Sequence, residues 1–152
     1  YVKANLETGQ RITGAEYSNA LKKLWLFQSS MKAFFDQYDL LITPVLAVPP
    51  FRRHIRPEGE DLRKVNPHLF YPGEIAGKQV PPRHGFYPFT YPFNITGQPA
   101  ASVPCGFSKE GLPVGLQIVG RFGEDATVLQ ASAAFERANP WSGHRPPLSQ
   151  VV

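Results

Sequence analysis

With a single cysteine, Cys105, this 152-residue chain can close no internal disulfide, and nothing in it demands an oxidising compartment. No apolar run approaches the ~18 residues that a membrane-spanning helix needs. Histidines are few and scattered: His54, His68, His84 and His144 include no i, i+4 pair of the kind that grips zinc from one helix face. They read as ordinary loop histidines, and chelation would have to be assembled by the fold. Charge is thin as well, at 18% of residues with a formal net charge of +4. So small an excess attracts nucleic acid only where it is focused. The one dense cluster, Arg52-Arg53-His54-Ile55-Arg56, lies in a proline-bounded loop. It reads as a solvated loop or a contact to another part of a parent protein, with nucleic acid the lesser alternative.

The common catalytic motifs are missing too. No G-x-S-x-G elbow occurs. Ser29-Ser30-Met31-Lys32 matches S-x-x-K and Tyr17-Ser18-Asn19 lies one element earlier, but the K-T-G that completes that set is absent. A serine deep in an amphipathic helix is expected to bond backbone instead. Gly111, Gly115, Gly120 and Gly123 are followed by no Lys-Ser/Thr pair, which excludes a P-loop. Gly120-Arg121-Phe122-Gly123 does sit at a strand-to-helix turn, where close backbone packing outweighs a weak anion or ligand contact. Cys105 has no neighbouring base or helix start to activate it and is expected to be a small buried apolar filler. The pairs Pro49-Pro50 and Pro81-Pro82 have flanks too aromatic and varied for a tidy polyproline ligand.

What is present is unusual in another way. Sixteen prolines exceed the ~5% of average usage, and thirteen glycines accompany them, yet hydrophobic residues make up 42% of the chain. Disorder does not fit so apolar a composition; a globular piece with long, shaped loops does. The chain opens at Tyr1, and its only methionine, Met31, lies inside a helical pattern, which suggests a piece of something larger. No signal peptide is visible, and one upstream of Tyr1 would be hidden.

Thr13-Gly14-Ala15-Glu16 spells a capping box, with Ile12 and Tyr17 spaced for a hydrophobic staple. Tyr17, Leu21, Leu24, Trp25, Gln28, Met31, Phe35 and Tyr38 then repeat at three and four residues, predicting a helix to about Gln37. Asp39-Leu40-Leu41-Ile42-Thr43 reads as a buried strand ended by Pro44. Residues 45–87 hold most of the prolines and form a long loop region, with a short helix near Pro72 to Gly77; such loops tend to be functional. A helical turn between Phe89 and Thr96 should stop at Gly97. Ala101 to Pro104 and Val114 to Val119 should pair as an antiparallel hairpin across Ser108-Lys109-Glu110-Gly111, and the apolar run of the second implies cover on both sheet faces. Glu124 and Asp125 start a last helix, marked by Val128, Leu129, Ser132, Phe135 and Glu136, which stops before Pro140. The order suits an α/β sheet covered by helices.

Several blocks, taken in order, resemble one family. Tyr38-Asp39-Leu40-Leu41-Ile42-Thr43-Pro44, then Phe89-Thr90-Tyr91-Pro92-Phe93-Asn94-Ile95-Thr96-Gly97-Gln98-Pro99, then Gly106 and Leu112-Pro113-Val114-Gly115-Leu116-Gln117-Ile118-Val119-Gly120 are similar to the C-terminal signature of the amidase signature family. These are serine hydrolases of carboxylic amides. The resemblance implies an α/β fold, a mixed β-sheet flanked by helices, of which residues 1–152 are the C-terminal segment of a single domain. It also implies a Ser–cis-Ser–Lys triad in a glycine- and serine-rich tract that this chain lacks, so no catalytic residue is expected here. What carries over is a pocket wall. Thr43 and Leu46 match positions lining the acyl channel in relatives such as fatty acid amide hydrolase. Tyr87, Phe89, Tyr91 and Asn94 fall in the loop facing the reacting end, and Phe122 borders the entrance. Core packing is the plain alternative for each, and for Asn94 a buried amide tying the loop backbone.

The implied partners are a small-molecule amide, the N-terminal part of the same enzyme and an oligomer face. No metal or organic cofactor, membrane or nucleic acid is implied, and the setting expected is cytoplasmic. The A subunit of a glutamine-dependent tRNA amidotransferase is the alternative. Its members carry an acidic residue where this chain has Tyr87, and an aromatic wall favours an apolar or aryl amide. A catalytically empty binding or scaffolding module is the alternative of another class.

Overall fold

The computed structural model describes residues 2–51, 71–81 and 85–144, with side chains from residue 6 onward. The basic cluster at Arg52 to Arg56, His54, His68 and His84, and Pro82 of the second proline pair lie outside the described residues. The chain divides into two compact units, Tyr1–Tyr38 and Asp39–Val152.

The first unit is helical. An unanticipated short helix α1, Val2–Gly9, precedes α2, Gly14–Phe35. The capping box forms as expected: Glu16 N–H donates to Thr13 Oγ1 at 3.2 Å, and Glu16 Oε2 accepts from the Thr13 backbone N–H at 2.8 Å. Both orphan donors are thereby satisfied at the start of a 22-residue helix. Exposure of the Glu16 carboxylate to two donors holds its pKa below the usual value, the backbone N–H of Thr13 first and its hydroxyl second. Ser29 and Ser30 bond the carbonyls of Trp25 and Phe27, as expected of mid-helix serines. The first part of the apolar stripe stays largely in the open, while Phe35 near its end is buried. Tyr17 is 62% exposed and Trp25 65%, while Ile12, the other half of the expected staple, is also exposed.

The second unit is built on a three-stranded antiparallel sheet ordered β1-β5-β4, from β1 (Leu40–Pro44), β4 (Ala100–Phe107) and β5 (Pro113–Gly120). Register runs Leu40↔Gly120 to Pro44↔Leu116 on one side of β5 and Ala100↔Val119 to Phe107↔Pro113 on the other. Pro44 and Pro104 sit in the two outer strands, the position a residue without an N–H tolerates. Ser108 makes the hairpin: its N–H donates to the Leu112 carbonyl at 2.7 Å, its hydroxyl accepts from Glu110 and Leu112, and Gly111 turns with φ +76°.

Side-chain alternation assigns the two faces. Leu116, Ile118 and Gly120 look toward α4, Asp125–Ala138, where Val103, Ile118 and Val128 form the core with Leu40, Ala101, Ala131, Phe135 and Trp141 against them. Gly120 is required by proximity, since a Cβ there would lie 2.6 Å from Val128 Cγ2. Gly115, Gln117 and Val119 look the other way, and Val119 is 0% exposed. The α/β architecture and the two-faced cover of β5 are therefore as the sequence indicated.

Four details differ. The segment near Pro72 to Gly77 is no helix: Glu74–Ile75 (β2) and Lys78–Gln79 (β3) pair antiparallel across Ala76 (φ 51°) and Gly77 (φ 75°). Two successive left-handed residues make the tight hairpin turn that matches strand twist. Leu129 and Glu136 are exposed, the buried stripe of α4 passing instead through Val128, Ala131 and Phe135. β1 is half-open, with Ile42 exposed, and among the described residues it pairs only with β5. Cys105 is exposed, not buried. It is the extra residue of a bulge between Pro104↔Gly115 and Gly106↔Val114, which turns it off the ladder.

Among the described residues no helix is long and apolar enough to cross a membrane.

Candidate functional site

The site is assembled on the face of β5 that looks away from α4. A six-residue helix α3, Tyr91–Thr96, carries a proline in its first turn and ends at Gly97 in the left-handed conformation (φ 81°), whose N–H bonds the Phe93 carbonyl at 2.9 Å. So short a helix is fixed by its ends and by what it buries, here Phe93 and Thr96. Thr96 Oγ1 donates to the Pro92 carbonyl at 2.9 Å and lies against the Gln98 carboxamide, tying the chain on both sides of the stop. The chain then returns through Pro99, whose carbonyl accepts from Gly120 N–H, into β4.

Gln117 locks this roof to the sheet. Only 5% exposed, it donates from Nε2 to Thr43 Oγ1 on β1 and to the Phe89 carbonyl before α3, both at 2.9 Å. A carbonyl can only accept, so Nε2 is the atom facing Phe89. One buried amide thus joins the strand, its neighbour and the loop.

Beneath α3 lies a cavity of about 290 Å³ bounded by Val45, Thr90, Phe93, Asn94, Gln98, Ala100, Ala101, Ser102 and Gln117. A second, more apolar one of about 330 Å³ adjoins it, bounded by Val45, Leu46, Val48, Pro50, Ser102, Pro104, Pro113, Val114 and Gly115. Val45 and Ser102 border both. Beside them runs an aromatic group. Tyr71 stacks on Phe86 at 5.4 Å, Phe51 and Tyr87 meet Phe86 edge-on, and Tyr87 stacks on Tyr91 at 5.0 Å with hydroxyls 3.4 Å apart. Offset and edge-on rings at these spacings hold one another in place. The Ala47 N–H to Phe86 carbonyl bond (2.9 Å) ties that group to the loop after β1.

Of the anticipated residues, Leu46 and Asn94 line these two cavities and the others do not. Thr43 and Phe89 are joined through Gln117, Asn94 lines the first cavity and Leu46 the second, and Tyr87 and Tyr91 form the aromatic end. Phe122 is 73% exposed and lies against Gly97, where a Cβ would come within 3.3 Å of its ring. Asn94 is exposed, which overturns its reading as a buried amide tying the loop backbone. Gln98, Ser102 and Gln117 were not anticipated. A detectable signal existed for Gln117: it is the one polar residue within the apolar run Val114 to Val119, and a polar side chain buried in a central strand carries information that its apolar neighbours do not.

Chemically, both cavities are lined, among the described residues, by hydroxyls, carboxamides and apolar groups, without an ionisable side chain. Such walls can bind and orient a neutral polar molecule. Neither offers a base to activate a hydroxyl nucleophile.

The family model described as Amidase matches residues 1–129. An acylamidase of Rhodococcus erythropolis is 33% identical over the whole chain, which spans 29% of that protein. The A subunit of a glutamyl-tRNA(Gln) amidotransferase from Moorella thermoacetica is 38% identical over 88% of the chain and 23% of its own length. Among solved structures, a bacterial aryl acylamidase of the amidase signature enzymes superposes on 92% of the chain and 27% of its own, with TM-score 0.77 and 34% identity.

Proposed function

The chain belongs to the amidase signature family, and on that premise we propose that it is the C-terminal, pocket-forming part of an enzyme that hydrolyses carboxylic amides. The Ser–cis-Ser–Lys triad belongs to the remainder of that polypeptide. The chain spans less than a third of the relatives it matches, and its cavities lack a base. In this reading a serine attacks the amide carbonyl, the lysine takes its proton through the bridging serine, and water releases the acyl group. Thr43, Leu46, Tyr87, Phe89, Tyr91, Asn94 and Phe122 contribute the wall that holds the substrate.

The observation that carries the proposal is the pair of adjoining cavities roofed by α3 and flanked by the Phe86–Tyr87–Tyr91 rings. Small-molecule sites are concave, mostly apolar and supplied with a few placed polar groups, and this surface has that character. Its aromatic end favours an apolar or aryl amide. The test is an amide-hydrolysis assay of residues 1–152 alone and of the intact polypeptide. Activity is expected only from the intact polypeptide; turnover by the segment alone overturns the assignment of chemistry to the missing part.

A second reading, the A subunit of a tRNA amidotransferase, draws on the 38% identity to such a protein. It predicts glutamine hydrolysis that depends on partner subunits and charged tRNA. Tyr87, held among aromatic rings, weighs against a charged substrate at that position.

A further inference from the structure

The two cavities share a divider, and a missing Cβ makes it. Val45 continues β1 by one residue: its N–H donates to the Gly115 carbonyl at 3.1 Å, and its side chain is half-buried. Ser102 stands on β4, on the other side of β5. A Cβ at Gly115 would lie 2.8 Å from Val45 Cγ2 and 3.1 Å from Ser102 Oγ, so both side chains converge on the space over that glycine. Facing residues of a sheet stand ~5 Å apart, and any side chain on the central strand would occupy that space itself. Among the described residues, Val45 and Ser102 are also the two that border both cavities. The walls to either side differ in character. Beneath α3 the lining includes Asn94, Gln98 and Gln117, whereas across the divider it includes Leu46, Val48 and Pro50.

We propose that Val45 is a specificity-determining residue: with Ser102 it forms a sill between the two cavities, and its size sets how long a hydrocarbon substituent the bound amide can carry. The polar compartment takes the amide group and the apolar one takes the far end of the substituent. The inference rests on the amidase reading and adds a dimension to its substrate. Of the two residues that make the sill, Val45 is the larger and the stiffer. A β-branched side chain has little freedom at χ1, and the bond from its N–H to Gly115 fixes the backbone beneath it. A substituent that crosses gains about fourfold in binding for each methylene it buries beyond the sill. One that is stopped there gains nothing from further length.

The test uses the intact polypeptide and two homologous series, anilides from acetyl to decanoyl and benzamides from N-ethyl to N-decyl. Comparing them tells which side of the amide crosses the sill. Val45→Ala lowers the sill and should raise kcat/KM of the long members relative to the short ones about tenfold in one of the series. Val45→Leu raises it and should lower the same ratio by a similar factor. A purely structural side chain changes every length equally, and that result, or shifts of both variants in the same direction, overturns the proposal. Should one variant not fold, as circular dichroism reads, the other decides through its own ratio. A polypeptide that hydrolyses none of these amides sinks the hydrolase reading instead. Calorimetric binding of the same two series to parent and variants then tests the sill, with the same tenfold shift expected and an unchanged dependence on length sinking it.

Discussion

Strand β5 and helix α2 both carry a run of apolar side chains, and the two runs meet opposite fates. The last four residues of β5, Gln117 to Gly120, are all buried, with α4 on one face and the α3 roof on the other. The stripe of α2 buries Phe35 at its end, yet Tyr17, Leu21 and Trp25 remain exposed along a 22-residue helix. Contiguous exposed apolar surface on that scale marks a face meant to be covered. The difference teaches that β5 finds its cover within its own unit, whereas these α2 side chains find none within theirs.

The largest effects should come from cutting each segment where it is covered. Ile118→Ala, at a position 2% exposed, should cost about 2–5 kcal/mol in chemical denaturation of this chain. Trp25→Ala should fall within about 0.5 kcal/mol of zero in the same chain. In the intact polypeptide the tryptophan should behave like a core aromatic and cost about 3–5 kcal/mol. Equal, small effects in both settings would break the comparison, because α2 would then be a surface helix in its own right.

Gly120→Ala sharpens the β5 half. The added methyl must displace Val128 Cγ2 from 2.6 Å in a packed core, and overpacking of this kind costs roughly 1–3 kcal/mol. A paired Val128→Ala substitution should recover part of the loss by opening space, and additivity between the two would argue that β5 and α4 are not in direct contact. At the site, Asn94→Ala should leave stability within about 0.5 kcal/mol, since the side chain is exposed, while raising KM of the intact enzyme about threefold to tenfold. An unchanged KM would remove Asn94 from the proposed wall.

Local signals were legible because neighbouring residues alone satisfy them. The capping box, the stop at Gly97 and the Ser108 turn each close hydrogen bonds within about four positions. The β4–β5 hairpin followed from those turns and from alternation. What escaped depended on register or on tertiary partners. Nothing in Glu74-Ile75-Ala76-Gly77-Lys78-Gln79 favours a left-handed alanine, a conformation residues with a Cβ rarely adopt; it is the pairing of Glu74 with Gln79 that imposes it. Cys105 is exposed because the bulge shifts it off the ladder, and a single-residue slip reverses the face of a side chain. Gln117 was visible as a letter in a motif, but its role needs β1 and the residues before α3 beside it, and sequence spacing alone does not bring Thr43 and Phe89 together.

The smallest predicted effect tests the helical half of the comparison through pH. Thr13→Ala removes one side of the capping box and should cost about 1 kcal/mol of α2 stability. Glu16 accepts from the Thr13 backbone and hydroxyl in the folded helix, which lowers its pKa from 4.5, so the unfolded chain binds its proton more readily. That contribution is therefore present in full above the unfolded value and is lost as pH falls through the lowered one. Glu16→Gln keeps an acceptor that reaches the Thr13 N–H without titrating, so its stability should be flatter than that of the parent across this acidic window, with the two converging at the acid end. Circular dichroism of the helix against pH reads the difference. Parallel curves for Gln and Glu would show that the carboxylate charge plays no part in starting α2, and that the hydrogen bonds alone make the cap.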